Sequence, residues 1–314
     1  MAINITVYDA DGDGKGINFS AYLKNFAKTY HDADGRGDFN GLVKGQYGNV
    51  NNPMRADGYV TNESNENGGR SVLFESKDGF SYDFMTHIIS GKVTKFTFGT
   101  DTILTDLGKN DYNIEQTSYT HTPEVSFSGF KPFKSSTVEG IVHDILEAHE
   151  TGLKELQAFL NTNKIVFNGS DGDDVFTGFK KPDKLFGGDG NDKLNGGKGN
   201  DKLFGDEGND KLNGGQGNDK IEGGAGNDIL KGGKGADTFI FRAGDGNDTI
   251  KDFEAGAKGK DVLAFDDELF SSYTEVLDAA RETAQGVVID FDGGSVLLKG
   301  VSLSSLDAGD FDFI

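Results

Sequence analysis

The stretch from Gly169 to Phe241 decides the fold of the second half of the chain, and it reads GSDGDDVFTGFKKPDKLFGGDGNDKLNGGKGNDKLFGDEGNDKLNGGQGNDKIEGGAGNDILKGGKGADTFIF. An aspartate recurs in it every nine residues, at Asp174, Asp183, Asp192, Asp201, Asp210, Asp219, Asp228 and Asp237. Two residues after each aspartate stands an apolar side chain, from Phe176 to Phe239. This fixed period predicts a solenoid in which each repeat is one turn and buries its apolar residue by stacking on its neighbours.

The residues of one repeat predict a cation site. The consensus GGxGND supplies glycines for a tight turn that a Cβ would forbid, and the next three residues form a very short strand. Stacked turns bring carboxylates together, and a hard cation with oxygen ligands relieves their repulsion. We expect turn carbonyls to complete the coordination of calcium. Without calcium, we expect this half to be largely disordered, because few apolar residues oppose much charge.

The array resembles the RTX nonapeptide repeat GGxGxDxUx. That resemblance implies an all-β C-terminal domain folded as a parallel β-roll, with Ca²⁺ between successive turns. It also implies secretion to the extracellular space by a type I ABC exporter that reads an uncleaved C-terminal signal, and the terminal DFDFI is similar to such signals. Pro182 and Ala236 replace the usual asparagine, so we expect the terminal sites to be weak or empty. The asparagines expected to add further calcium ligands are Asn191, Asn200, Asn209, Asn218 and Asn227.

The composition of the whole chain excludes several classes of partner and chemistry. Its 314 residues carry a net charge of -21, which repels a phosphate backbone and argues against nucleic acid. The chain has no cysteine, so disulfides and thiol catalysis are excluded. Its N-terminus lacks the pattern of a conventional signal peptide, and no apolar run reaches the ~18 residues of a membrane span.

A change of composition near residue 168 predicts two domains, 1–165 and 166–314. In the first, INITVY alternates as a strand, SVLFES and FSYDFM flank Lys77-Asp78-Gly79 as a predicted hairpin, and KVTKFTF follows as a third strand. Apolar residues between 138 and 160 have helical spacing. These patterns predict an α+β domain with an antiparallel sheet packed on helices. After the array, we expect a helix around Ser272 to Ala284 and a hairpin in VVIDFDGGSVLLKG.

The first domain carries no recognisable catalytic motif. It contains no HExxH, GxSxG or Walker-type loop, so we expect that the protein is not an enzyme. His31 lies in a polar, glycine-rich segment, and His87 follows Tyr82 by five residues. Tyrosinate and imidazole both ligate haem iron. On spacing alone, surface histidines and a core tyrosine are the simpler interpretation.

Much of residues 1–165 resembles the HasA-type haemophores, secreted proteins that capture haem and pass it to a bacterial receptor. The matching stretches are SAYLKNFAKTY, VLFESKDGFSYDF, HIISGKVTKFTFG, PEVSFSGF and GIVHDILEAHETGLKELQAFL. The resemblance implies that Tyr82 ligates haem iron, that His87 hydrogen-bonds its phenolate, and that His31 is a candidate axial ligand. It implies haem and an outer-membrane haem receptor as partners. The Tyr82–His87 interval is about three residues shorter than the family's, and His31 falls a few residues before the family's axial histidine.

Three functions follow from these patterns. The first is a secreted haemophore-like protein that captures extracellular haem for bacterial iron acquisition, with an RTX domain that folds on calcium. The second is a calcium-dependent extracellular binding or adhesion module whose haemophore-like fold does not bind haem. A hydrolase is least favoured, because no nucleophile–base pair can be named.

Overall fold

The computed structural model describes residues 2–7, 16–23, 54–62, 71–83, 88–90, 95–109, 115–128, 154–256 and 261–314. The chain divides into two compact units. One comprises Met1–Ala10 and Ala21–Leu160, and the other comprises Asp11–Ser20 and Asn161–Ile314. The predicted boundary at residue 165 stays a prediction.

The described strands of the first unit pair antiparallel, in the order β2-β3-β5-β6-β1, with β4 on β3. Their bounds are β1 Ala2–Val7, β2 Met54–Asn62, β3 Ser71–Asp83, β4 Ile88–Ser90, β5 Lys95–Lys109 and β6 Glu115–Ser128. The strand predicted at INITVY is confirmed up to Val7, and the strand predicted at KVTKFTF is confirmed from Lys95 onward. Helix α1, Lys154–Thr162, buries Leu156 and Leu160. The rest of the predicted helical region, 138–153, lies outside the described residues, and the α+β class stays a prediction.

The predicted hairpin at Lys77-Asp78-Gly79 is wrong, because β3 runs through these residues without turning. The runs on both sides of them pair with the same strand, β2. Glu75 opposes Gly58, whereas Phe80 opposes Ala56, so the register shifts across 76–79. The Asp-Gly pair thus occupies an irregularity in one long strand, because β2 pairs with the residues of β3 on both sides of it.

The repeat array of the second unit winds into two parallel sheets, as predicted. Successive short strands alternate between the sheets, so each strand pairs with the one 18 residues away, as in Leu185 with Leu203 and Leu194 with Leu212. The strands are β7 Lys164–Asn168, β8 Val175–Thr177, β9 Lys184–Asp189, β10 Lys193–Lys198, β11 Lys202–Glu207, β12 Lys211–Gln216, β13 Lys220–Ala225, β14 Ile229–Lys234 and β15 Thr238–Phe241.

The core of this roll is the column of apolar residues that the repeat provides. Every one of them, from Phe176 to Phe239, is at most 1% exposed. The two sheets meet through these side chains, and Phe167 of β7 stacks on Phe176 of β8 with ring centroids 4.1 Å apart. One apolar residue per turn makes a thin core, so the roll depends strongly on what its turns contribute.

Further strands extend the roll beyond the array. They are β16 Gly246–Ile250, β17 Val262–Phe265, β18 Ala280–Thr283, β19 Gly286–Phe291, β20 Gly294–Lys299 and β21 Phe311–Phe313. One sheet continues as β15-β17-β21, and the other as β14-β16-β20-β19-β18. The hairpin β19–β20 is confirmed, with Gly293 in the turn at φ +76°. The predicted helix is shorter than expected: α2 is Tyr273–Ala279, because Ala280–Thr283 pairs with β19.

An N-terminal segment closes the other end of the roll, which the sequence did not suggest. Asn18 forms a parallel bridge with Val175, whose N–H donates to the Ile17 carbonyl at 2.9 Å. Phe19 is buried against Phe176, with ring centroids 5.0 Å apart. This segment adds one more partial turn before β8 and covers the first apolar residue of its sheet.

Candidate metal centre

The repeat places every array aspartate at the same point of its turn, directly before a strand. All eight side chains are buried, none more than 3% exposed. Burying a carboxylate without compensation is costly, because it loses its hydration. What each carboxylate oxygen contacts therefore decides the chemistry of the turn.

One oxygen of each aspartate, Oδ1, accepts a hydrogen bond from a backbone N–H in the preceding turn of the same sheet. Oδ1 of Asp192 accepts from the N–H of Asp174 at 2.7 Å, and Oδ1 of Asp210 accepts from Asp192 at 2.7 Å. The same 18-residue step continues along both sheets, at 2.7 to 2.8 Å within the array. These bonds join neighbouring turns and fix the direction of each carboxylate.

The second oxygen, Oδ2, has no hydrogen-bond partner in most of the roll. Within 154–256 and 261–314, this holds for the buried Oδ2 atoms of Asp192, Asp201, Asp210, Asp219, Asp228, Asp237 and Asp248. The first two turns differ: Oδ2 of Asp174 accepts from the Ser170 N–H at 2.7 Å, and Oδ2 of Asp183 accepts from the Phe179 N–H at 2.8 Å. A buried, unpaired carboxylate oxygen calls for a cation.

Glycine keeps the space in front of these oxygens open. A Cβ added to Gly205 would lie closer than 3.0 Å to both Asp210 Oδ2 and the Gly223 carbonyl oxygen. Gly187, Gly196 and Gly214 face the same pair of groups, an aspartate Oδ2 and a glycine carbonyl of the next turn. The space in front of each of these glycines, here called a cation cradle, is therefore lined by a carboxylate oxygen and a carbonyl oxygen. Oxygen donors of this kind suit Ca²⁺.

The described residues contain no cluster of three or more Asp, Glu, His or Cys side chains around one point. Backbone carbonyls must therefore supply much of any coordination sphere, as the repeat chemistry predicts. When bound, calcium supplies positive charge to carboxylates that the fold holds buried. The protein's own part is to aim Oδ2 and the carbonyls at one space and to exclude side chains from it.

Without a cation, the roll disfavours ionised carboxylates. Burial, with repulsion from the carboxylates of Asp210 and Asp174, raises the pKa of Asp192 to about 8. Burial likewise raises the pKa of Asp201 and of Asp210 to about 7. In the unfolded chain these carboxylates would be ionised at neutral pH, so the calcium-free fold carries an electrostatic penalty that a divalent cation would remove.

The asparagines lie on the exposed side of the turns and form a second ladder. Oδ1 of Asn191 accepts from the Asn209 N–H at 3.0 Å, and Oδ1 of Asn209 accepts from the Asn227 N–H at 2.9 Å. Asn200 and Asn218 accept in the same way from Asn218 and Ala236. These bonds use the oxygen that we predicted as a calcium ligand. The ligand role of the asparagines stays a prediction.

Two buried aspartates beyond the array continue the carboxylate rows, and sequence analysis missed both. Oδ1 of Asp248 accepts from the Asp228 N–H at 2.9 Å, and burial raises the pKa of Asp248 to about 8. Oδ1 of Asp261 accepts from the Asp237 N–H at 3.0 Å, while its Oδ2 accepts from Glu254. Asp248 stands eleven residues after Asp237, outside the nine-residue register, but the Gly246-Asn247-Asp248 triplet was the available signal.

A family model of the RTX calcium-binding nonapeptide repeat matches residues 168–203, 181–212 and 204–239. Residues 168–239 are RTX calcium-binding repeats. RTX repeats typify extracellular proteins secreted by the type I route. Asp248 lies beyond the matched residues, although its carboxylate continues the RTX row. No curated protein matches the chain.

Three solved structures show weak likeness to the chain. The apo haemophore HasA of Yersinia pestis is 15% identical, with a TM-score of 0.31, over 50% of this chain and 89% of that protein. A monomeric HasA mutant of Yersinia pseudotuberculosis is 15% identical, with a TM-score of 0.32, over 52% and 92%. The extracellular lipase LipA of Serratia marcescens is 20% identical, with a TM-score of 0.26, over 48% and 40%. TM-scores this low do not demonstrate a shared fold.

The predicted haem residues fall largely outside the described part of the chain. His31 and His87 lie outside the described residues. Tyr82 is the penultimate residue of β3, and its backbone opposes Met54 of β2 and Ile89 of β4. The roles of Tyr82, His87 and His31 stay predictions. No helix among the described residues is long and apolar enough to cross a membrane.

Proposed function

We propose that this protein is secreted, folds its RTX unit on extracellular calcium, and captures haem for bacterial iron acquisition through its N-terminal unit. The observation that carries the calcium part is the row of seven buried Oδ2 atoms without hydrogen-bond partners. A type I ABC exporter and an outer-membrane haem receptor are the partners this function requires. Its chemistry is binding and transfer, not catalysis.

A calcium titration tests the first part. Calcium-free protein is expected to gain far-UV β signal as calcium rises between roughly 0.1 and 10 mM, the range of weak extracellular sites. Magnesium at equal concentration is the control, because its strict octahedral geometry and tight hydration suit carbonyl-rich cradles poorly. A spectrum that stays unchanged up to 10 mM calcium contradicts calcium-dependent folding.

The haem part rests on the sequence stretches that resemble haemophores and on the position of Tyr82. Tyr82 stands at the end of β3, and β4 begins six residues later and pairs back on it through Tyr82 and Ile89. His87, which the resemblance to haemophores pairs with Tyr82, follows it by five residues in the sequence. Because a free phenol titrates near ~10, a hydrogen-bonding histidine would favour the tyrosinate that iron requires.

Titration with hemin tests this part of the proposal. Wild-type protein is expected to give a tyrosinate-type visible spectrum, and Tyr82→Phe should abolish it, because the ring remains while the ligand oxygen is lost. Tyr119→Phe, in β6, is the matched control and should leave the spectrum unchanged. No Soret change at micromolar hemin would sink the haem assignment and leave the alternative, a calcium-dependent extracellular binding or adhesion module.

A further inference from the structure

The carboxylates of the roll fall into two groups according to the residue four places before each aspartate. In the first two turns that residue is Ser170 or Phe179, and its N–H donates to Oδ2 of Asp174 or Asp183. The Ser170 hydroxyl donates to the same Oδ2 of Asp174 at 2.9 Å. In both turns, a backbone N–H therefore occupies the side of the carboxylate that other turns leave to a cation.

In the remaining turns, the same position adopts a left-handed backbone. Positive φ angles occur at Gly188, Gly197, Asp206, Gly215, Gly224, Gly233 and Gly244. These residues stand four places before the seven aspartates whose Oδ2 has no hydrogen-bond partner. Among described residues, Asp206 is the single non-glycine with positive φ, at 71°. For the eight array aspartates and Asp248 the correspondence is complete: seven left-handed positions precede seven unpaired oxygens, and the two other positions precede two paired ones.

The left-handed backbone turns the N–H away from the aspartate. The Gly197 N–H donates to Asn195 Oδ1 at 3.0 Å, and the Gly233 N–H donates to Asp252 Oδ2 at 3.1 Å. Burial raises the pKa of Asp206, and a hydrogen bond from the Gly188 N–H to its carboxylate opposes that rise. Serine and phenylalanine enter the left-handed region only at a steric cost, whereas glycine enters freely and aspartate is among the best tolerated alternatives.

We propose that the residue four places before each aspartate selects the partner of that carboxylate, and that Ser170 and Phe179 make the first two turns calcium-free. This inference rests on the proposed calcium binding of the roll. Asp174 receives N–H groups from Ser170 and Ile17 and the Ser170 hydroxyl, which satisfy the carboxylate without a cation. Asp183 receives N–H groups from Ile165 and Phe179, so this end of the roll is held by the chain itself.

The cation cradle is otherwise present in both turns. A Cβ added to Gly178 would lie closer than 3.0 Å to Asp183 Oδ2 and the Gly196 carbonyl, the same two kinds of oxygen that face Gly205. In the first turn, Gly169 similarly faces the Gly187 carbonyl and Asp174 Oδ2. One difference is the N–H of residue 170 or 179. A second is the residue two places before the aspartate, which is left-handed at Gly190 and its equivalents but not at Gly172 or Lys181. Freeing that residue to become left-handed should therefore open a calcium site.

Calcium stoichiometry of the full chain, measured by titration calorimetry and by equilibrium dialysis with metal analysis, tests this inference. Ser170→Gly is expected to bind one calcium more than wild type, and Phe179→Gly one more by the same reasoning. The matched controls are Ser170→Ala and Phe179→Ala. Alanine still disfavours a positive φ, so the backbone N–H of residue 170 or 179 should go on donating to the aspartate. The alanine variants should therefore bind the same number of calcium ions as wild type.

The two proposals can fail separately. The first outcome is that both glycine variants bind the same number of calcium ions as wild type while circular dichroism shows them folded in calcium. That result would overturn the inference that the residue four places before the aspartate selects its partner. If wild type itself binds no calcium, the proposed function fails. A gain in either glycine variant that its alanine control does not share supports the inference, and the second position provides the test if one variant does not fold.

Discussion

In calcium-free solution, the RTX unit is expected to be more stable at pH 5 than at pH 8. Burial raises the pKa of Asp192 and of Asp248 to about 8, and that of Asp201, Asp210 and Asp237 to about 7. In the unfolded chain these groups titrate near ~3.9. The folded roll therefore binds more protons than the unfolded chain throughout the interval between these values.

The sign follows from proton linkage. Below the unfolded pKa both states are protonated, and the carboxylates impose no penalty on folding. As pH rises from about 4 through 8, the unfolded chain ionises first and the folded carboxylates follow at a cost, so stability falls. With calcium the trend reverses, because protons then compete with the cation and the calcium midpoint should move to higher concentration as pH decreases.

The folded fraction of calcium-free protein, read from its far-UV β signal at pH 5, 6, 7 and 8, measures this dependence. Asp210→Asn tests the role of a single carboxylate, because the amide keeps an oxygen for the Asp192 N–H but carries no charge. Without calcium, the variant should be more stable than wild type at pH 8. With calcium, it should bind one calcium ion fewer. Asp290→Asn, at a half-exposed ion pair with Arg281, is the control. Equal stability at pH 5 and pH 8 would show that the buried carboxylates do not limit calcium-free folding.

Gly205→Ala is expected to be among the most damaging single substitutions in the roll. Its Cβ would overlap Asp210 Oδ2 and the Gly223 carbonyl, which belong to two neighbouring turns. We expect a loss of about 3 kcal/mol or more in calcium, the upper end of overpacking effects, and one calcium fewer per chain. Urea unfolding in 10 mM calcium and calorimetric stoichiometry measure both.

Gly300→Ala separates backbone strain from this overlap. Gly300 has φ +78°, and an added Cβ there meets nothing within 4 Å. Its replacement should cost roughly 1–2 kcal/mol through the left-handed backbone alone and leave the calcium number unchanged. Equal effects of the two substitutions would contradict the assignment of a cation cradle to Gly205.

The sequence predicted the roll well because one period controls its backbone, its core and its carboxylates together. Phe176 through Phe239 are buried, as their spacing indicated. Asp248 was not predicted, because two extra residues place it outside the nine-residue register. Its carboxylate nevertheless accepts a hydrogen bond from the Asp228 N–H and so continues the row. The partners of Asp174 and Asp183 could not be predicted, because they depend on a backbone φ and not on the aspartate itself.

In the first unit, local patterns predicted strands but not their connections. Lys77-Asp78-Gly79 has the composition of a turn, yet β2 pairs with the residues on both sides of it, and that choice depends on residues some twenty positions away. The predictions for Tyr82, His87 and His31 came from resemblance to haemophores. They concern the chemistry of individual side chains, which periodicity does not determine.

The alternation of strands between the two sheets constrains how such an array can change length. Each turn bonds to the turn 18 residues away, so one nine-residue repeat inserted or deleted would move every later turn to the opposite sheet. The strands beyond the array, β16 and β17, would then meet the wrong row of partners. Over evolutionary time, this roll should therefore lengthen or shorten by pairs of repeats, because only an even number keeps the last strand of the array in the same sheet.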